Sequence, residues 1–296
     1  MLIWKAHRGK IRSVAFSPDS TLLATATGGA SYVYLWNPAT GKSVRKVAAG
    51  SVINAVAFAP DAPLMAAGCL RRIVVWRTDT WEAVASLISL NTFELAFSPG
   101  ATPMLASSGP GGVHIWDDVS QPTPDGPRKS DRSLRTGWSV ANVTFSSDGK
   151  LLATNTLMRA NLWNPVTGKL VRTLDHPGSG HHGPIQFSPD GERVALVYRR
   201  WVDIRHTLDK AAPVVKFPAG TGSAVVWAIG WSRDGRILMT AGSDGMARLW
   251  DTTAGTEMRA FAWDIGKVRC AAFSPDGLVC AAAGEKGDVV VWDVDS

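Results

Sequence analysis

Val268-Arg269-Cys270-Ala271-Ala272-Phe273-Ser274-Pro275-Asp276-Gly277, followed after a second apolar run by Val289-Val290-Val291-Trp292-Asp293, is the stretch that decides the fold. Breaks fall at Gly266, at Pro275-Asp276-Gly277 and at Gly284 to Gly287. Proline presets φ, aspartate bonds nearby backbone and glycine admits positive φ, so each break is a turn. The segments between them read as short strands: Met258 to Ala262 as an outer strand, Val268 to Phe273 as the inner one, Leu278 to Ala283 as the next and Val289 to Trp292 as the last.

The same arrangement recurs through the chain. An aromatic, then Ser or Ala, then usually Pro-Asp, begins at Phe16, Phe58, Phe97, Phe145, Phe187, Trp231 and Phe273, at intervals of 42, 39, 48, 42, 44 and 42 residues. Each anchor is followed 18 to 20 residues later by Trp36, Trp76, Trp116, Trp163, Trp250 or Trp292, with Arg205 in the fifth copy. Fixed periods of this size announce a repeat architecture, and seven copies account for all 296 residues. No long segment has apolar residues at helical spacing, so almost no helix is expected. Runs such as Ile73 to Trp76 and Val289 to Trp292 are apolar at successive positions, which requires sheets buried on both faces. The residues just before the anchors are Ala15, Ala57, Ala96, Thr144, Gln186, Gly230 and Ala272. Six of them are small, as the crowded axis of a propeller demands.

The expected fold is therefore all-β: a seven-bladed β-propeller of four-stranded antiparallel blades. Leu2 to Trp4 precedes the first complete inner strand, so it should supply the outer strand of the C-terminal blade and close the ring, removing an open seam. Residues 1–296 read as a single domain, with a Pro-rich loop insertion at about 121–131. Trp116 to Phe145 spans 29 residues against 21 to 26 in the other copies, and a mobile bottom-face loop is expected there.

These residues resemble a known family. The period, the Phe-Ser-Pro-Asp-Gly turn and the terminal Trp-Asp, clearest in Trp231 to Asp251 and Phe273 to Asp293, look like WD40 repeats across essentially the whole chain. The resemblance implies a propeller that works as a protein-interaction scaffold. It also implies a hydrogen-bonded tetrad of His, Ser or Thr, Asp and Trp in many blades. Here the sixth copy keeps Thr240, Asp244 and Trp250 as structural residues but has Gly222 where the His would lie. The first keeps His7, Thr25 and Trp36; Thr154 with Trp163 and Ser107 with Trp116 survive in part. No copy holds the full set, so packing should dominate stability.

Composition narrows the function. Formal net charge is +6, and only 19% of residues are charged, below the roughly 25% usual for soluble domains. Cys69, Cys270 and Cys280 form no CxxC pair and leave an odd one out, which points to a reducing, cytoplasmic location without a disulfide framework or zinc site. Lys5, His7 and Arg8 interrupt the N-terminus, leaving no signal-like apolar run. No stretch is long and apolar enough to span a membrane as a helix.

No catalytic template is satisfied. Gly41-Lys42 and Gly168-Lys169 lie in turns without the earlier glycine of a phosphate loop. Neither GxSxG nor HExxH occurs. Asp19, Asp61, Asp148, Asp190, Asp234 and Asp276 sit in the repeat turns, where local hydrogen bonding accounts for them. His176, His181 and His182 cluster in a Gly-rich loop, but without carboxylate or Cys, so no metal is assigned. No cofactor is implied.

Strand order divides the loops between two faces. The connections from outer to inner strand and from second to third define a top. It carries Arg8, Lys10, Arg12, Arg71, Arg72, Arg159, Arg199, Arg200, Lys267, Arg269 and Lys286 against Glu94, Asp244, Asp264 and Glu285, or 11 − 4 = +7. Trp138, Trp201, Trp227 and Trp263 fall in or beside the same loops. Arg and Trp dominate binding hot spots, so Arg71, Arg72, Trp138, Arg159, Arg199, Arg200, Trp201, Trp227, Trp263 and Lys286 are the expected partner-binding residues. The leading expectation is a non-catalytic scaffold for an acidic peptide or protein. The alternatives are a polyanion module for nucleic acid or anionic lipid, motivated by a pI of about 9.4, and a propeller enzyme with a central-channel site.

Overall fold

A computed structural model describes residues 1–123, 126–136, 139–156, 159–175 and 183–295. Among them lie 28 β-strands and no helix. The strands form seven four-stranded antiparallel sheets arranged as the blades of a propeller. In six blades the chain runs from the innermost strand outward in sequence order. The seventh holds Val268–Phe273, Val279–Gly284 and Asp288–Asp293, and its outermost strand is Leu2–Lys5. Leu2 pairs with Val291 and Lys5 with Asp288, so the ring closes as expected. The sequence repeat is staggered against the blade: Glu257–Ala262, read as the opening strand of the seventh repeat, is the outer strand of the sixth blade.

The burial pattern follows from this stacking. Leu23–Thr27, Leu64–Cys69, Leu105–Gly109 and Leu152–Thr156, the second strands of blades one to four, are buried along their whole length. Each core cluster joins neighbouring blades. One combines Ala24 and Leu35 of the first blade with Val56 and Trp76 of the second, and another joins Leu23 and Trp36 to Val289 and Val291 across the closure seam. Gly287 makes that seam possible: its φ is +89°, and a Cβ there would come within 2.2 Å of the His7 carbonyl oxygen. Without one, Ala6 and His7 both donate their N–H groups to the Gly287 carbonyl at 3.0 Å.

The recurring turns repeat one hydrogen-bond pattern. Ser17, Ser146, Ser188, Ser232 and Ser274 each donate to the aspartate two residues on, at 2.5–2.7 Å. The same hydroxyls accept the N–H five residues on, as from Leu22 at 2.9 Å. These aspartates serve the turns.

Polar ties inside the blades are few. Trp36, Trp163 and Trp250 donate Nε1–H to Thr25, Thr154 and Thr240 at 2.8–2.9 Å, and His7 Nε2 lies 2.7 Å from Thr25 Oγ1. Asp244 departs from its expected place beside Thr240 and Trp250. With no histidine to receive it, its carboxylate turns to Arg248 at 2.8 Å and to the Thr221 hydroxyl at 3.2 Å. Trp116 donates to the Arg128 carbonyl at 3.4 Å rather than to Ser107.

Arg128 lies in the long insertion, whose described residues correct the expectation of a free loop. They run beside Ala83–Ile88, the outer strand of the second blade. The Arg128 N–H donates to the Ser86 carbonyl and the Arg128 carbonyl accepts from Ile88 N–H, both at 2.8 Å, while Thr123 N–H donates to the Val84 carbonyl at 3.1 Å. The insertion thus covers an edge that would otherwise display unpaired backbone groups.

Candidate functional site

The inner strands pack around a central channel of about 380 Å³, lined by Ala15, Ala96, Thr144, Gln186, Gly230 and Ala272 among others. These are six of the seven positions expected at the axis. Above them the inner strands change register. The ladder skips one residue between Ile11 and Ser13, Ile53 and Ala55, Val140 and Asn142, Val226 and Ala228, and Val268 and Cys270. A bulge leaves its extra residue unpaired and re-aims its side chain. The skipped residues are Arg12, Asn54, Ala141, Trp227 and Arg269, and all five line one opening of about 590 Å³ at the top of the channel.

Asn91, Phe93, Glu94 and Asn142 also line this mouth. Arg12 Nη1 donates to Asn54 Oδ1, and Asn54 Nδ2 passes the contact on to the Thr92 carbonyl at 3.1 Å and Asn91 Oδ1 at 3.3 Å. The Arg269 guanidinium lies 4.0 Å from the Trp227 ring centroid and pairs with Glu285, which also faces Lys10 at 3.6 Å. Glu94 is the acidic residue that lines the opening itself. Burial pushes its carboxyl up to about 7, against the lowering hydrogen bonds from Leu95 N–H and the Asn142 side chain.

The structure scatters the expected partner-binding residues over several places. Arg71, Arg159 and Arg199 expose their side chains on the top loops; Arg199 holds a left-handed backbone, φ +57°. Arg72 and Arg200 instead brace loops, donating to the carbonyls of Ala49 at 3.0 Å and Gly222 at 2.6 Å. Arg200 also lies over Trp201, 5.8 Å from the ring centroid, with Lys216 on the same ring at 5.3 Å. Arg199, Arg200 and Trp201 line a second, lateral groove of about 510 Å³ with Gly222 to Val225.

Trp227 belongs to the mouth, whereas Trp263 packs on Trp292 at 4.6 Å between centroids. Lys286 is bound by Asp264. Trp138 and the His176, His181 and His182 cluster lie outside the described residues. Among the described residues no group of three or more His, Cys, Asp or Glu side chains is placed to hold a metal ion.

Ion pairing therefore trims the basic excess without removing it. Lys10, Arg269 and Lys286 have carboxylate partners. Arg12, Arg71 and Arg199 have none within 4 Å among the described residues. Leu70, Leu90 and Phe93 are exposed by 43%, 71% and 38%; Leu70, next to Arg71 in the chain, accepts from Asn91 N–H at 2.6 Å, and Phe93 lines the mouth. The amides of Asn54, Asn91 and Asn142 escaped the charge count because they carry no charge. A census of residues three and four before each anchor aromatic finds Asn54 and Asn142.

Comparison with known proteins agrees with this architecture. The WD40 pattern, described as "WD domain, G-beta repeat", matches residues 1–37, 41–77, 212–251 and 261–293. The chain is 25% identical over 346 aligned residues to Telomerase protein component 1 of Rattus norvegicus, covering 98% of this chain and 13% of that protein. It is 20% identical over 286 residues to Serine-threonine kinase receptor-associated protein of Mus musculus, covering 97% and 67%. Protein LST8 homolog of Drosophila melanogaster is 26% identical over 138 residues, 46% of this chain and 43% of that protein. The chain thus spans only about an eighth of the telomerase component's length.

Proposed function

Because this chain belongs to the WD40-repeat family, with divergent repeats, we propose that it is a non-catalytic scaffold whose top face docks an acidic peptide or protein. The observation that carries this reading is the meeting, on one face, of exposed arginines lacking carboxylate partners with exposed apolar residues. Arg71 flanks Leu70 and Arg199 projects from the fifth blade, and the fourth blade adds the exposed side chain of Arg159. Arginine joins large contact area to directional hydrogen bonding, and apolar neighbours supply the desolvated centre that such contacts need. The name of the kinase receptor-associated relative supports a partner-binding role. A stable complex would bury about 800 Å² on each side. Three unpaired cysteines suit a reducing, cytoplasmic setting.

The test is capture at moderate salt with wild type and with the triple variant Arg71→Glu, Arg159→Glu and Arg199→Glu. Partners retained by wild type should be lost from the variant while its melting curve is unchanged. Equal retention by both proteins rejects this face. If the retained material is nucleic acid, its affinity will fall steeply with log salt concentration, and the polyanion reading replaces the acidic-protein one.

A further inference from the structure

The channel mouth combines cationic and amide donors with one carboxyl, that of Glu94, which makes no ion pair among the described residues. Arg12 and Arg269 come from the first and seventh blades, Glu94 from the third and Asn142 from the fourth, and all line the same opening. Gly28 lies against the Arg12 side chain, where a Cβ would fall 2.3 Å from Nε. The guanidinium is thus held down at the mouth, bonded to Asn54 and free of any carboxylate partner among the described residues. Arg269 is pinned by Glu285 on one side and Trp227 on the other.

We propose that this mouth takes the carboxylate of an acidic peptide side chain between Arg12 and Arg269, with the Glu94 carboxyl sharing a proton with it, so that binding is accompanied by proton uptake. This deepens the partner-binding reading and rests on it. A neutral carboxyl is a donor as well as an acceptor, so protonated Glu94 can give its O–H to the incoming carboxylate. Ionised, it repels that group.

The groups facing Glu94 favour such a switch. Its ladder partner is Ser108, and the inner strands on either side present Asn54 and Asn142. None of these titrates in the physiological range. From the seventh blade come Arg269, already paired, and Cys270, whose thiol burial and the Glu94 charge push up, leaving it neutral. Arg12, on the inner strand of the first blade, and Lys10, just before that strand, line the same opening. Burial holds the Glu94 carboxyl near 7, so the change falls at physiological pH.

The experiment is fluorescence anisotropy with a rhodamine-labelled, N-acetylated and C-amidated hexaglutamate peptide, from pH 6.0 to 8.5 at fixed ionic strength. The peptide's own carboxylates are ionised over the whole range. Wild-type affinity should be level below pH 7 and weaken up to about tenfold per pH unit above it, the limit for one proton taken up. Glu94→Gln, nearly isosteric and always neutral, should hold the low-pH affinity within about twofold across the range. Arg12→Gln should lose about tenfold at pH 6. Melting curves check that both variants fold. A pH-independent wild type, a Glu94→Gln variant that keeps the slope, or an unfolded Glu94→Gln variant with a pH-independent wild type overturns the proposal. So does absence of peptide binding by wild type at every pH. The wider docking face is judged separately, by the charge-reversal capture.

Discussion

Lys5 Nζ donates to the carbonyl oxygen of Lys286 at 2.6 Å, joining residues 281 positions apart in the chain. The bond belongs to the strand pair that closes the ring, with Leu2 to Lys5 lying on Val291 to Asp288 and Trp4 packed 6.0 Å from Trp36 of the first blade. Deleting residues 1–6 removes a few backbone hydrogen bonds at about 1 kcal/mol each and uncovers part of the closure cluster. The melting temperature should fall by about 10 °C for a domain this large. An unchanged melting curve would mean that the closing strand contributes nothing to the ring's stability.

His7 couples the same seam to pH. It is 9% exposed and bonded to Thr25 Oγ1, and burial lowers its pKa from 6.5 to about 4. Between those values the unfolded chain binds a proton that the folded chain refuses. Stability is therefore complete above about pH 6.5, declines as the pH falls toward 4, and levels off below. The difference of about 2.5 pKa units corresponds to a loss of about 3 kcal/mol. Urea unfolding at pH 7.0 and 4.5 should show most of it in wild type and much less in His7→Asn. Equal pH slopes for the two proteins would assign the loss to other groups.

Much of the fold was legible because it rests on local, repeated signals. The Ser-Pro-Asp-Gly turn after Phe273 and the apolar run ending at Trp292 define strands without reference to distant chain, and seven such copies define the ring. The mouth was harder to read. Its bulge positions hold Arg12, Asn54, Ala141, Trp227 and Arg269, four residue types with no glycine among them, so no local propensity marks the skip. Trp227 and Trp263 look alike in sequence, yet only the three-dimensional approach of Trp292 commits Trp263 to packing. The insertion misled for a related reason: proline and balanced charge describe its composition, whereas its backbone partners lie on the preceding blade.

That insertion should leave a signature in hydrogen exchange. Ile88 N–H donates to Arg128 at 2.8 Å, and Ser86 N–H donates to Thr123 Oγ1 at 3.0 Å, so both edge amides are shielded by the loop. Replacing residues 121–130 with a short Gly-Ser connection should speed exchange at Ser86 and Ile88 by about tenfold or more, while Ala85 and Leu87, which face the sheet interior, change little. Undiminished protection at Ser86 and Ile88 would show that the loop does not cover this edge in solution.

The polar ties within the blades suggest a repair. Thr25, Thr154 and Thr240 stand opposite Tyr34, Asn161 and Arg248, each two residues before the tryptophan it binds. In the seventh blade that place belongs to Ala282, opposite Val290, and the buried Trp292 Nε1 has no hydrogen-bond partner. Ala282→Thr supplies the missing acceptor, worth about 1 kcal/mol, more if it relieves the whole cost of the buried donor. It also adds volume to a packed site, and overpacking costs about 1–3 kcal/mol. Ala282→Val adds nearly the same volume without the hydroxyl, so the difference between the two variants isolates the bond. Denaturant unfolding should find the Thr variant more stable than the Val variant by about 1–2 kcal/mol. Equal stability would mean that the Trp292 N–H is already satisfied by water, and that threonine at this place in the other blades is there for its shape.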